Sequence, residues 1–244
     1  MNATLPSFFG TTFVINLAER TDRRRLVELE FCKAGWTNFQ FFPALRFDDP
    51  RGFKYPAWRG CFYSHLRCLR LAQEAKLESV LMIEDDITLS PSIVRLTPMI
   101  MQALNNLEWD FIYFGHEPTS NILRAKRKAD KVSFEPCNSE LLTTHFYGVK
   151  KRIIPRLIAH LERNARTIPH DGMYGPMPVD GAYNTFRRYN SDVVTYLANP
   201  KLGWQRPSRS DVTPTRLDNL LVLRPLLARA REIRHFLNRA LDNF

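Results

Sequence analysis

Ser79-Val-Leu-Met-Ile83 runs directly into Glu84-Asp85-Asp86. This short, mainly apolar run is the strongest strand signal in the sequence. Three consecutive carboxylates at its end repel one another unless positive charge offsets them. In an extended backbone Glu84 and Asp86 point to one side and Asp85 to the other. Two carboxylates on one side suit a hard cation with oxygen ligands, Mg²⁺ or Mn²⁺. The competing reading is a solvated strand end whose acids pair with arginines or cap the next helix.

Upstream, Thr12-Phe-Val-Ile-Asn-Leu17 reads as a first buried strand. Thr21 or Asp22 then caps a helix to Ala34, with Leu26, Leu29 and Phe31 as its apolar positions and Gly35 as its stop. Phe39 to Phe42 is a second strand, and Asp48 to Trp58, with two prolines and a glycine, is a loop. Apolar residues recur at helical spacing from Gly60 to Ala75. Downstream, Thr97-Pro98 is read as a helix start, giving a helix over 98–107. Strands follow at 110–114, 141–149 and 193–197, with helices at 152–164 and 180–189 and a Gly/Pro-rich loop over 168–178. Strands alternating with helices predict an α/β fold, Rossmann-like, with a mostly parallel sheet covered by helices on both faces. Ligands bind such sheets at the carboxyl ends of the strands, where Glu84 to Asp86 stand.

The chain has 244 residues, 44% hydrophobic and 25% charged, with a net charge of +10. That charge favours anionic partners, among them nucleic acid, a membrane surface or a phosphorylated substrate, without choosing one. No apolar run is long enough to span a bilayer, and residues 1–10 lack a signal-peptide pattern. The expectation is a cytoplasmic protein, with contact at the inner face of the membrane as an option. The four cysteines, Cys32, Cys61, Cys68 and Cys137, are scattered, form no CxxC pair and have no histidine at zinc spacing. Free thiols in a reducing compartment are expected.

Five segments, in order, resemble glycosyltransferase family 25, the lipooligosaccharide-biosynthesis galactosyltransferases. They are Phe13-Val-Ile-Asn-Leu17 with Arg20-x-Asp22-Arg23-Arg24; Gly60-Cys-Phe-Tyr-Ser-His65; Leu81-Met-Ile-Glu-Asp-Asp-Ile-Thr-Leu89; Pro178-Val-Asp180; and Pro200-x-x-Gly-x-Gln205 with Ser210-Asp211-Val212. The resemblance covers residues 12 to 212. It implies a GT-A type fold, a nucleotide-sugar donor (usually UDP-galactose), a glycan or lipid-linked oligosaccharide acceptor, inversion at the anomeric carbon and a divalent metal. Carried over, Glu84 and Asp86 hold the metal, and donor contacts fall on Asn16, Arg20, Arg23, Ser64, His65, Glu84 and Gln205. Gly181-Ala182 after Asp180 is smaller than the pattern expects, which leaves acceptor identity open.

Inverting transfer needs a base for the acceptor hydroxyl, and Asp180, opening a helix after a Gly/Pro loop, is the candidate. Its plainer role is an acid favourable to the helix dipole. Ser64 and His65 near a helix start are donor contacts or packed side chains. Arg20, Arg23 and Arg24 follow the first strand, where at least one meets the donor. His116, Gln205 and Asp211 are further candidates. Residues 1–212 form the catalytic domain in this reading, and 213–244 a basic amphipathic helical tail. Leucines and arginines over 217–241 fit an anionic membrane surface, packing on the domain or an oligomer contact. A catalytically silent relative and a basic nucleic-acid-binding protein are the alternatives. No stacking groove of interleaved aromatic and basic residues supports the last, so nucleic acid is not an expected partner.

Overall fold

A computed structural model of the chain describes residues 3–117, 131–168 and 176–206. The proposed tail over 213–244, Asp211 and most of the loop over 168–178 lie outside the described residues.

The α/β expectation is met. Seven strands form one sheet: β1 (Thr11–Asn16), β2 (Gln40–Pro43), β3 (Ser79–Glu84), β5 (Phe111–Gly115), β6 (Ser133–Pro136), β7 (Phe146–Lys150) and β8 (Thr195–Asn199). A two-stranded sheet pairs β4 (Ile87–Leu89) with β9 (Gly203–Gln205). The main sheet has the order β2-β1-β3-β7-β5-β8-β6. β1 pairs in parallel with both β2 and β3, and β5 in parallel with β8. β7 runs antiparallel between β3 and β5, and β6 antiparallel at the edge beside β8. Five strands therefore share one direction and two oppose it.

Alternation along the strands builds a core on each face. Phe13 and Ile15, Val80 and Met82, and Phe111 and Tyr113 meet helices α3 (Pro56–Glu74), α5 (Ile154–Ala165) and α6 (Val179–Tyr189). Val14, Leu81, Ile83, Ile112 and Phe114 meet α1 (Leu5–Phe8), α2 (Thr21–Ala34) and α4 (Ile93–Asn106) on the other side. Among the described residues, no helix is long and apolar enough to cross a membrane.

Four expectations are corrected. In α2 the cap residue is Arg20, and the buried stripe is Arg23, Val27, Phe31 and Ala34. Leu26 and Leu29 are exposed. The buried arginine opens that stripe because it has acidic partners in the interior, described below. α3 begins at Pro56, inside the predicted loop, since proline fits a first helical turn. α4 begins at Ile93 and passes through Pro98 instead of starting there. Interior proline costs ~3 kcal/mol. Ile93, Leu96, Ile100 and Leu104, all buried, each return about 1.5 kcal/mol or more, so packing wins. The strand expected over 141–149 is shorter, starting at Phe146, which leaves Thr144 and His145 just before β7, beside the carboxyl end of β3.

Candidate active site

The carboxyl ends of β1 and β3, the start of antiparallel β7 and the first turns of α3 and α6 surround a cleft of about 680 Å³. Its lining includes Arg23, Cys61, His65, Glu84, Asp86, Thr144, Asp180 and Gln205, with Phe47, Tyr55 and Trp58 toward one wall.

The strand geometry sorts the three acids. Glu84, in register with Val80 and Met82, turns toward α3. There its Oε1 accepts the Thr144 hydroxyl at 2.9 Å and lies 3.4 Å from His65 Nε2. Asp85 turns toward α2, accepting Arg23 Nη1 at 2.6 Å and Asn16 Nδ2 at 2.8 Å. Asp85 is thereby an internal ion-pair partner, and it shows why Arg23 is buried. Asp86 sits in the turn after β3, 3.6 Å from Arg23 Nη1, while its Oδ1 is buried without a hydrogen-bond partner among the described residues.

Charge follows this arrangement. Burial would raise the Glu84 carboxyl, but His65, His145 and the Thr144 hydroxyl outweigh it and hold it below its ordinary value. Asp86 has no comparable support; burial, then the Glu84 charge, pushes it up to about 7 against the pull of Arg23. Burial also raises Asp180, opposed by a hydrogen bond from the Gly181 amide to its Oδ1 at 2.8 Å. Two neighbouring carboxylates thus have opposite tendencies, a pattern typical of chemical sites.

His65 is wholly buried on α3. Its Nδ1 lies 2.8 Å from the Tyr147 hydroxyl, which lies 2.9 Å from the Tyr183 hydroxyl. A polar chain therefore runs from Glu84 through the sheet's helical face to α6, the helix that carries Asp180.

Arg23, His65, Glu84, Asp86, Asp180 and Gln205 come together in the cleft. Three donor candidates stand elsewhere. Ser64 is fully buried; its hydroxyl accepts the Leu45 amide at 2.8 Å and donates to the Gly60 carbonyl at 2.7 Å, so it fastens the cleft wall to α3. Asn16 holds Asp85, and Arg20 is engaged with Asp22 at 3.0 Å. Among the weaker candidates, Arg24 pairs with Glu28 on the exposed side of α2, and His116 is buried against the Ala198 carbonyl.

Sequence reading missed Cys61, Thr144, His145 and Arg206. The Cys61 omission is a correction: Cys61 and His65 stand four residues apart on one face of α3, and Cys61, His65 and Glu84 offer ligand atoms all within 4.8 Å of one another. That spacing was present in the sequence. All four cysteines are free, as expected. Thr144 and His145 reach the site only because β7 runs backwards, and the Glu84 amide donates to the His145 carbonyl at 2.9 Å. Arg206 arrives through the β4–β9 pair and donates from Nη2 to the Ile87 carbonyl at 2.8 Å.

No protein-family profile matches the chain. It is 30% identical over 106 residues to a candidate glycosyltransferase, R655, of Acanthamoeba polyphaga mimivirus, a match covering 37% of this chain and 33% of that protein. The chain spans a third of that relative. Among solved structures it is similar to A197 from STIV at a TM-score of 0.38, with 14% identity over 77% of this chain and 80% of that one. A glycosyltransferase involved in glycosylation of the major capsid of PBCV-1 gives a TM-score of 0.37, with 14% identity over 66% and 71% of the two chains. A candidate glucose-1-phosphate thymidylyltransferase from Bacillus anthracis gives 0.38, with 13% identity over 90% and 76%. At these scores none of the three bears on function.

Proposed function

We propose that this chain transfers a sugar from a nucleotide-sugar donor to a hydroxyl of a glycan or lipid-linked acceptor. The observation that carries the reading is the placement of Glu84 and Asp86 at the carboxyl end of β3, in a cleft that is also lined by a third half-buried acid, Asp180. The mimiviral relative's designation supports it over the third of its length that is matched. The ordered motifs resembling glycosyltransferase family 25 point the same way, and through them a GT-A layout, a UDP-sugar, galactose foremost, and an inverting course.

A divalent cation, Mn²⁺ or Mg²⁺, fits the residues present. Asp86 Oδ1 is a buried oxygen with no partner among the described residues, and Glu84 beside it is held ionised. Both donors are hard carboxylate oxygens, as such ions require. Bound there, the cation would supply positive charge to the leaving diphosphate.

The chain's own residues do the rest. Arg23, fixed by Asp85, adds a cation at the same end of the cleft. Asp180 takes the acceptor proton as the acceptor oxygen bonds to the anomeric carbon and the bond from that carbon to the diphosphate oxygen breaks. Its proton affinity, raised by burial, makes it a stronger base than an ordinary aspartate. Phe47, Tyr55 and Trp58 give one wall an apolar surface for a base or sugar face.

The test is calorimetric titration of UDP with and without Mn²⁺, into wild type and Asp86→Ala. Metal-dependent binding that disappears in the variant is expected, followed by turnover in a UDP-sugar screen. Absence of nucleotide binding to the folded wild type in both conditions would sink the reading.

A further inference from the structure

The cleft contains a donor set that a site for a hard cation does not need. Cys61 and His65 project from one face of α3 toward Glu84, and their ligand atoms and a Glu84 oxygen all lie within 4.8 Å of one another. Thiolate, imidazole and carboxylate together are the ligands of a borderline-soft ion, and three protein ligands with a fourth position open is an arrangement zinc adopts.

A second observation singles out His65. Its Nε2 is wholly buried and has no hydrogen-bonding partner in good geometry among the described residues, although it faces Glu84 at 3.4 Å. A buried ring nitrogen in that condition is costly. Its other nitrogen is already supported: Nδ1 lies 2.8 Å from Tyr147 Oη, which is backed by Tyr183 Oη at 2.9 Å. When a cation takes the place of any proton on Nε2, Nδ1 donating to Tyr147 and Tyr147 to Tyr183 leaves the Nε2 lone pair directed at that cation. Fixing a histidine's tautomer by a hydrogen bond at the far nitrogen is what outer partners of metal ligands do.

The geometry points to a second, softer cation site in this cleft: Cys61 Sγ, His65 Nε2 and a Glu84 carboxylate oxygen bind Zn²⁺, with the fourth position open toward the cleft. Binding replaces the thiol proton, which leaves to solvent, so zinc uptake releases about one proton. Asp86 is not a ligand of this site. Because Glu84 belongs to both donor sets, zinc and an oxygen-bound cation exclude one another, and zinc acts as a brake on the acidic site. The zinc site itself stands whether or not a sugar nucleotide binds.

Co²⁺ is the probe, added to reduced, chelator-stripped full-length protein. Wild type should develop a thiolate-to-cobalt charge-transfer band with tetrahedral visible bands, and Zn²⁺ should bleach both. Cys61→Ser should lose the charge-transfer band and bind Zn²⁺ at least about tenfold more weakly. Cys32→Ser, altering an exposed thiol, should keep it. Asp86→Ala should keep it too, although nucleotide binding is lost there, so the two readings fail separately. Should Cys61→Ser misfold by circular dichroism, alkylation of wild-type Cys61, read on its peptide by mass spectrometry, should be slowed by Zn²⁺. A folded wild type without the band, a band surviving in folded Cys61→Ser, a band lost in Asp86→Ala, or alkylation indifferent to Zn²⁺ would each overturn the site.

Discussion

Arg23 and Asp85 form an ion pair inside the protein, Nη1 to Oδ1 at 2.6 Å, with side chains only 10% and 8% exposed. The pair joins α2 to the end of β3 and fixes the backbone from which Glu84 and Asp86 project. Removing one partner leaves a buried charge, so Arg23→Ala should cost about 3–5 kcal/mol. Urea unfolding measures this, and the double variant Arg23→Met/Asp85→Leu should recover most of the loss. A loss below about 1 kcal/mol for Arg23→Ala would show that the charge finds water or another partner.

Tyr147→Phe removes the hydroxyl between His65 and Tyr183, both buried. Two polar groups then lose a partner, and stability should fall by about 1–3 kcal/mol. Tyr183→Phe, at the end of the chain, should cost less. Equal losses in thermal or urea denaturation would contradict the central place of the Tyr147 hydroxyl in this chain.

His160 joins α5 to α6, its Nε2 3.0 Å from both the Ala182 carbonyl and Thr185 Oγ1. Burial lowers its proton affinity in the folded state below the ordinary 6.5. The unfolded chain therefore binds more protons in this window, and stability rises with pH across it. Going down, the loss begins as pH falls through about 6.5 and levels off below the folded value. Comparing urea midpoints at several pH values for wild type and His160→Gln isolates the contribution; parallel pH profiles would exclude it.

Asp180→Asn preserves shape and removes the proposed base. Turnover should drop by about 10²–10⁴-fold, while UDP affinity in the presence of Mn²⁺ stays within about twofold of wild type. An equal fall in nucleotide affinity would instead place Asp180 among the donor contacts.

Gly60 meets the Leu45 carbonyl so closely that a Cβ there would lie 2.4 Å from the oxygen. Leu45 lines the cleft, and its amide is held by Ser64. Gly60→Ala should push this wall outward, costing roughly 1–3 kcal/mol and weakening nucleotide binding. An unchanged melting temperature would mean the wall yields freely.

The acidic turn was legible because β3 combines a continuous apolar run with an abrupt change to charge, and Gly35, at φ 68, marks the end of α2 as plainly. The lining face of α2 was not. Its stripe opens with an arginine, and only the distant Asp85 makes that residue an interior one. β4 and β9 are three residues each, too short to show a period. Thr144 and His145 stand some 60 residues beyond Glu84 and share its site through strand pairing, which no local pattern announces. Cys61 and His65 were legible in principle, since four residues on a helix is one face. The absence of a familiar zinc spacing hid their pairing, although His65 stood among the donor candidates.

The reversal of β7 has a consequence for how this cleft can diversify. Its antiparallel neighbours β3 and β5 deliver to the rim whatever follows a strand, whereas β7 delivers what precedes one. Glu84 and the pair Thr144–His145 consequently hang from segments of opposite polarity, joined by the hydrogen bond from the Glu84 amide to the His145 carbonyl. Each segment holds the other through that bond and through the Thr144 hydroxyl on Glu84, so a change in one is felt in the other. A rim built this way changes as a unit: the acid at the end of one strand and the residues leading into its antiparallel neighbour have to be altered together.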